Sequence, residues 1–236
     1  MAGQRYPVAG KSVLITGAAR GIGAEAAKQI AARGGRVALV GLEPEELERT
    51  AAECGSDALW FEVDVRHQDE LERAIEETTE RFGGIDVVVA NAGVGAGSLV
   101  RHSGEDALEF VMDINLFGAV RTLRLSLPHV LERRGYMLAV ASMAAIGQPP
   151  GMAAYSASKA GLEAFANSLR IEMRPHGVDV GVAYFRGSTP RWSAAATAGV
   201  SSPRCAGRCA GRWPRPIRRR PPARLSFAGS SGGPAG

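Results

Sequence analysis

Apolar positions gather into six short runs along the chain: Val13-Leu14-Ile15, Val37-Ala38-Leu39-Val40, Leu59-Trp60-Phe61, Val87-Val88-Val89-Ala90, Met137-Leu138-Ala139-Val140 and Val178 to Phe185. They are largely continuous, rich in β-branched residues and bounded by Gly or polar residues, which predicts strands buried on both faces, as in a parallel sheet. Between them, apolar residues recur at helical spacing over residues 22–33, 45–53, 69–82, 105–127 and 152–173. Pro44 followed by Glu45-Glu46 suits a helix first turn, because Pro lacks only an N–H that would be orphaned there and the acids favour the positive end of the dipole. Regular strand–helix alternation predicts an α/β protein with a doubly wound parallel sheet flanked by helices, whose ligand lies at the carboxyl ends of the strands.

The chain has 236 residues, 45% of them apolar, enough for one well-buried domain and with no sign of a second core. Cys54, Cys205 and Cys209 are too few for a disulfide frame, and Cys205-x3-Cys209 lacks a partner pair that would make it a metal site. His67, His102, His129 and His176 fit no metal spacing, so no metal is expected. With neither a signal-type segment nor an apolar stretch of membrane-spanning length, the chain is expected to be soluble and cytoplasmic.

Charge divides the chain sharply. Residues 186–236 hold ten Arg and no Asp, Glu or Lys, so residues 1–185 carry 28 − 10 = 18 basic against 24 acidic groups, a net of −6. The sequence pI of 9.2 therefore describes the tail and not the domain. Dominated by Arg, Pro, Gly, Ala and Ser without periodicity, the tail is expected to be disordered. The expected organisation is an extension over 1–10, a domain over 11–185 and a tail over 186–236.

Two groups of residues carry chemistry. Thr16-Gly17-Ala18-Ala19-Arg20-Gly21-Ile22-Gly23 joins the first strand to the first helix. Its glycines let the backbone turn and approach a diphosphate, and the helix N-terminus supplies free N–H groups and partial positive charge. Tyr155 and Lys159, four apart on a predicted helix, share one face, and Ser142 lies thirteen residues before Tyr155 at the end of the fifth strand. A phenol beside an ammonium and an oxidised nicotinamide is favoured as phenolate, able to move the proton that accompanies a hydride.

Together these residues resemble the short-chain dehydrogenase/reductase family, from about Lys11 to Phe185. The resemblance implies a Rossmann-like fold, NAD or NADP as cofactor, and interconversion of an alcohol and a ketone or aldehyde. It implies that Tyr155 is the general acid/base, that Lys159 also binds the nicotinamide ribose and relays protons, that Ser142 polarises the substrate oxygen, and that Asn115, in Asp113-Ile114-Asn115-Leu116, holds a water in the relay. Asn91-Ala92-Gly93 resembles the motif that supports the sheet and lines the cofactor site, and Asp64-Val65 the pair that contacts adenine. With these, Thr16, Gly17, Arg20, Gly21, Ile22, Gly23, Glu43, Tyr155 and Lys159 make up the expected cofactor-binding set. The choice of cofactor stays open: Gly41 stands where the family places its ribose-binding Asp, Glu43 is the nearest acid, and Arg20 suits a 2′-phosphate. The implied partner is a small-molecule substrate, with no membrane; a homo-oligomer is also implied, weakened if the C-terminus is abnormal.

After Phe185 the resemblance ends. Joining each wobble base to the first two bases of the next codon turns Arg186 to Ser193 into a string that can encode Trp-Ile-Asp-Thr-Glu-Met-Val, which looks like the missing family loop. The tail is thus expected to be sequence read out of frame. Two rival readings are a non-catalytic nucleotide-binding remnant without a substrate lid, and a basic-tailed nucleic-acid binder. Ten Arg favour the latter, and the absence of interleaved aromatic and Lys residues opposes it.

Overall fold

Each apolar run becomes a strand: β1 (Ser12–Thr16), β2 (Arg36–Gly41), β3 (Leu59–Glu62), β4 (Val87–Ala90), β5 (Tyr136–Ser142) and β6 (Asp179–Phe185). The computed structural model describes residues 6–95 and 97–185. The expectations for residues 186–236, including Cys205 and Cys209, lie outside the described residues. The strands form one parallel sheet in the order β3-β2-β1-β4-β5-β6. Between and beside them run α1 (Gly21–Ala31), α2 (Pro44–Cys54), α3 (Gln68–Phe82), α4 (Glu105–Met112), α5 (Ala119–Arg133), the single turn α6 (Ala144–Gly147) and α7 (Ala153–Met173).

Two apolar cores explain the continuous strands. Val13 and Ile15 of β1 pack with Ala27 of α1 and Leu47 of α2, whereas Leu14 between them packs with Leu71 and Ile75 of α3 and Leu123 of α5. Alternate side chains therefore enter opposite cores, and each buried Leu or Ile contributes roughly 1.5–3 kcal/mol. Strand order reverses between β1 and β4, opening a crevice at the carboxyl ends of these two strands.

The opposite end of the same strand pair is locked by polar bonds. The Asp86 carboxylate accepts from Ser12 N at 3.0 Å and pairs with Lys11 Nζ at 2.9 Å, and Ser12 Oγ donates to Gly84 O at 2.6 Å. Burial works to raise the Asp86 pKa, but the bonds from Ser12 and Lys11 outweigh it and hold the carboxyl below its ordinary value. Residues ahead of β1 pack as well, Val8 being buried and the Tyr6 ring lying 5.1 Å from that of Tyr136.

The helix expected over 105–127 differs in two ways. Pro128 does not end it; α5 runs on to Arg133, because Pro128 is exposed and the carbonyl it orphans, four residues back at the exposed Arg124, can turn to water. Between α4 and α5 the backbone widens into a π turn at Asp113–Gly118, and this turn carries Asn115. Among the described residues, no helix is long and apolar enough to cross a membrane.

Candidate active site

The loops leaving β1 and β4 are stitched together at the crevice. Thr16 Oγ1 accepts from the amides of Asn91 and Ala92, each at 3.1 Å, while Asn91 Nδ2 donates to Thr16 O at 2.9 Å and Gly17 O at 3.0 Å. Only glycine fits this approach. Gly17 has a φ of +65°, and a Cβ there would lie 2.7 Å from Ala92 Cα; a Cβ on Gly23 would overlap the Gly17 carbonyl and stand 2.7 Å from Asn91 Nδ2. Arg20 occupies the N-cap position of α1 without a side-chain cap bond, so the first-turn amides behind Gly21 and Ile22 have no capping side chain.

Arg20 and Glu43, which the sequence sets against each other as markers of different cofactors, are partners in the structure, Nε to Oε1 at 3.0 Å. Both are well exposed, so the pair opens at little cost. Gly41 ends β2 beneath them, and a Cβ there would make only ordinary contacts with Leu47 and Ala19. Asp64 is clamped by Arg66, with Nε 2.9 Å and Nη2 2.6 Å from Oδ2 and the Arg66 amide 3.0 Å from Oδ1. Burial alone would raise the Asp64 pKa; these bonds reverse it and hold the carboxyl below its ordinary value. The Arg66 guanidinium lies 5.2 Å from the centre of the Phe110 ring, and Val65 is buried against Gly118 of the π turn.

Ser142 ends β5, while Tyr155 and Lys159 sit one turn apart on α7. Tyr155 is buried in an apolar cluster with Val111 and Ala144, flanked by Val94, Met152 and Ala154. Lys159 is only 4% exposed. Its Nζ donates to Val140 O at 2.8 Å, and burial pushes its pKa down to about 8. Ser142 Oγ donates to Phe185 O at 3.3 Å and accepts from Ala144 N at 3.2 Å. Gly93 brings the β4 loop to the same place: a Cβ there would be 3.1 Å from Asn115 Oδ1 and 3.4 Å from Lys159 Nζ.

The π turn gives Asn115 its position. Its side chain closes a two-bond ring with the Val94 backbone, Oδ1 accepting from N at 2.7 Å and Nδ2 donating to O at 2.9 Å, and Nδ2 also lies 3.3 Å from Ser158 Oγ. Ser158 Oγ in turn donates to Tyr155 O at 2.8 Å. The Asn115 amide is thus already spent on protein groups. Three contributors escaped the sequence reading: Arg66, Ser158 and the Val140 carbonyl. Arg66 two residues after Asp64 is a local signal that could have been read, but the other two depend on tertiary placement. Among the described residues, no group of His, Cys, Asp and Glu is arranged to hold a metal.

A doubly wound parallel sheet with a glycine junction at its switch point, facing a Tyr/Lys pair across the crevice, defines an α/β protein of the Rossmann-like class. The chain belongs to the short-chain dehydrogenase family, whose sequence profile matches residues 11–187. An uncharacterized oxidoreductase of Myxococcus xanthus is 36% identical over 178 residues, covering 74% of this chain and 70% of that protein. The 11-beta-hydroxysteroid dehydrogenase 1A of Arabidopsis thaliana is 38% identical over 170 residues, 70% of this chain, which spans only 48% of the plant protein. Among solved structures, NAD+-bound xylitol dehydrogenase superposes with a TM-score of 0.75 at 29% identity, over 79% of this chain and 75% of that one.

Buried Lys159 yields a stability prediction. Its folded pKa of about 8 lies below the ordinary lysine value of 10.5, so the burial cost is complete below pH 8 and disappears as pH rises toward 10.5. Lys159→Met removes a charge penalty of roughly 3 kcal/mol but forfeits a hydrogen bond worth about 1 kcal/mol. Denaturant unfolding is expected to show the variant more stable by about 1–3 kcal/mol at pH 7, with the gain shrinking between pH 8 and 10. A variant less stable than wild type at pH 7 contradicts this.

Proposed function

We propose that this chain is an NAD(P)-dependent oxidoreductase interconverting an alcohol and a ketone or aldehyde. The observation that carries the reading is the convergence of Tyr155, Lys159, Ser142 and Gly93 at the carboxyl end of the sheet, beside the glycine junction. The residues fit a dinucleotide, since Gly17 and Gly23 lie where any side chain would overlap the adjoining loop and the first turn of α1 has no side-chain cap. Thr16, Gly17, Gly21, Ile22 and Gly23 would hold the diphosphate, Asp64 and Val65 the adenine end, and Asn91, Ala92, Gly93 and Lys159 the nicotinamide end. When bound, the nicotinamide supplies or accepts the hydride.

The chain's own residues handle the proton. In the oxidative direction Tyr155 Oη takes the proton of the alcohol O–H as the C–H bond gives up its hydride, and in the reductive direction it returns that proton to the carbonyl oxygen. The Ser142 hydroxyl, released from Phe185 O, donates to the same oxygen and fixes it. Lys159, charged below about pH 8, stabilises the phenolate one helical turn away. Asn115 acts as a positioning residue, tying Val94 and Ser158 so that the β4 loop and α7 keep their spacing. The same reading takes the protein to be cytoplasmic, supported by its sparse cysteines. It takes residues 11–185 as the catalytic domain and 186–236 as sequence read out of frame, supported by the family match ending at 187 and by the Trp-Ile-Asp-Thr-Glu-Met-Val string of the neighbouring frame.

The reading is tested by Tyr155→Phe, which keeps the ring and removes the proton carrier. Turnover of any accepted alcohol should fall by about 10²–10⁴ while NADH affinity, read by fluorescence titration, stays within about twofold of wild type. Full turnover in the Phe variant would sink the mechanism. Cofactor choice rests with the exposed Arg20–Glu43 pair. Glu43→Gln removes a negative charge that repels a 2′-phosphate and should raise the NADP/NAD affinity ratio by about tenfold, whereas Arg20→Ala should lower it. If the ratio is the same in both variants, the pair has no part in selection.

A further inference from the structure

We propose that the substrate is an uncharged, predominantly apolar alcohol or ketone, an inference that rests on the oxidoreductase reading and names its substrate class. Three segments meet beside α7: residues 92–95 and 97–100 after β4, residues 143–152 between β5 and α7, and the end of β6. They form one rim, because Ser98 N donates to Gly151 O at 2.7 Å and Met143 N donates to Phe185 O at 3.1 Å. At its base Val94 and Met152 pack against Tyr155 itself. On the same segments large apolar side chains are exposed: Leu99 is 46% exposed, Val100 60%, Met143 46%, Ile146 61% and Phe185 41%. Five large exposed apolar residues on segments joined by hydrogen bonds form the kind of patch that marks a binding surface.

Within the described residues, the two loops bring no charge to this rim. Neither 92–100 nor 142–158 contains an Asp, Glu, Lys or Arg. The nearest cations in sequence are Lys159, buried and bonded to Val140 O, and Arg101, whose Nε donates to the His102 ring at 2.9 Å. A carboxylate or phosphate close to the reacting carbon would find no counter-ion on these two loops, whose polar side chains, Ser98 and Gln148, are outnumbered by apolar ones.

The test is a homologous series, with 2-butanone, 2-hexanone, 2-octanone and xylitol titrated by calorimetry into the full chain with and without NADH. Affinity should rise about two- to fourfold for each methylene added, with xylitol weakest. Ile146→Asp, at an exposed position that leaves the core untouched, should flatten the series without changing NADH affinity; Met143→Asp provides a second variant of the same kind. A series flat in the wild type, or xylitol binding as tightly as 2-octanone, overturns the proposal. The two readings fail separately. Ketones reduced without a chain-length trend leave the oxidoreductase reading intact and remove this one, whereas a clear trend with no ketone reduced supports the apolar rim and removes the reaction.

Discussion

The rest of the structure depends on the close approach of the loops leaving β1 and β4. Gly17 and Gly23 admit no Cβ at the junction, and Asn91 and Thr16 bind across it with four hydrogen bonds. Had either glycine a side chain, the loops would part, α1 would tilt away from the switch point, and its uncapped amides would no longer face the crevice. The same stitch fixes where Asn91-Ala92-Gly93 runs, and so brings Gly93 to Lys159. The glycine junction and the Tyr155/Lys159 pair thus depend on one backbone contact.

Holding Lys159 there is costly. A cation buried to 4% exposure with a single carbonyl partner is poorly solvated, which is why its pKa falls to about 8. Its neighbourhood is correspondingly well bonded. The Asn115–Val94 ring, the Ser158–Tyr155 bond and the apolar cluster around Tyr155 fix the elements on either side. A π turn is a rare way to continue a helix, and here it carries the Asn115 amide that bonds to the Val94 backbone. Cost and compensation sit within a few residues of each other, as expected where function and stability compete.

What the sequence made legible follows from where the physics is local. The four inner strands were legible because burial on both faces leaves an uninterrupted apolar run, whereas β3 and β6, expected to be buried alike, are edge strands and only partly buried; the glycine loop was legible because its spacing follows a strand and opens a helix. The spacing of apolar positions faded at 127, whereas α5 continues through the exposed Pro128, whose orphaned carbonyl partner at the exposed Arg124 can turn to water. The π turn left no periodic trace, since one extra residue in a turn barely disturbs the spacing of apolar positions. Arg20 and Glu43 look like rivals in a linear reading, and only the return of β2 to the side of β1 makes them partners across 23 residues. Local spacing therefore picked out Ser142, Tyr155 and Lys159 as candidates, and tertiary contact shows what surrounds them.

The junction itself is the most direct point of test. Alanine is the better helix former by about 1 kcal/mol, so Gly23→Ala would stabilise α1 if propensity alone governed this position. The measurement is NADH affinity by fluorescence titration, read beside the melting temperature, for wild type and Gly23→Ala. The close-approach account predicts at least a tenfold loss of NADH affinity with a melting temperature that is lowered or unchanged. A Gly23→Ala protein that binds NADH as tightly as wild type and melts higher would contradict it.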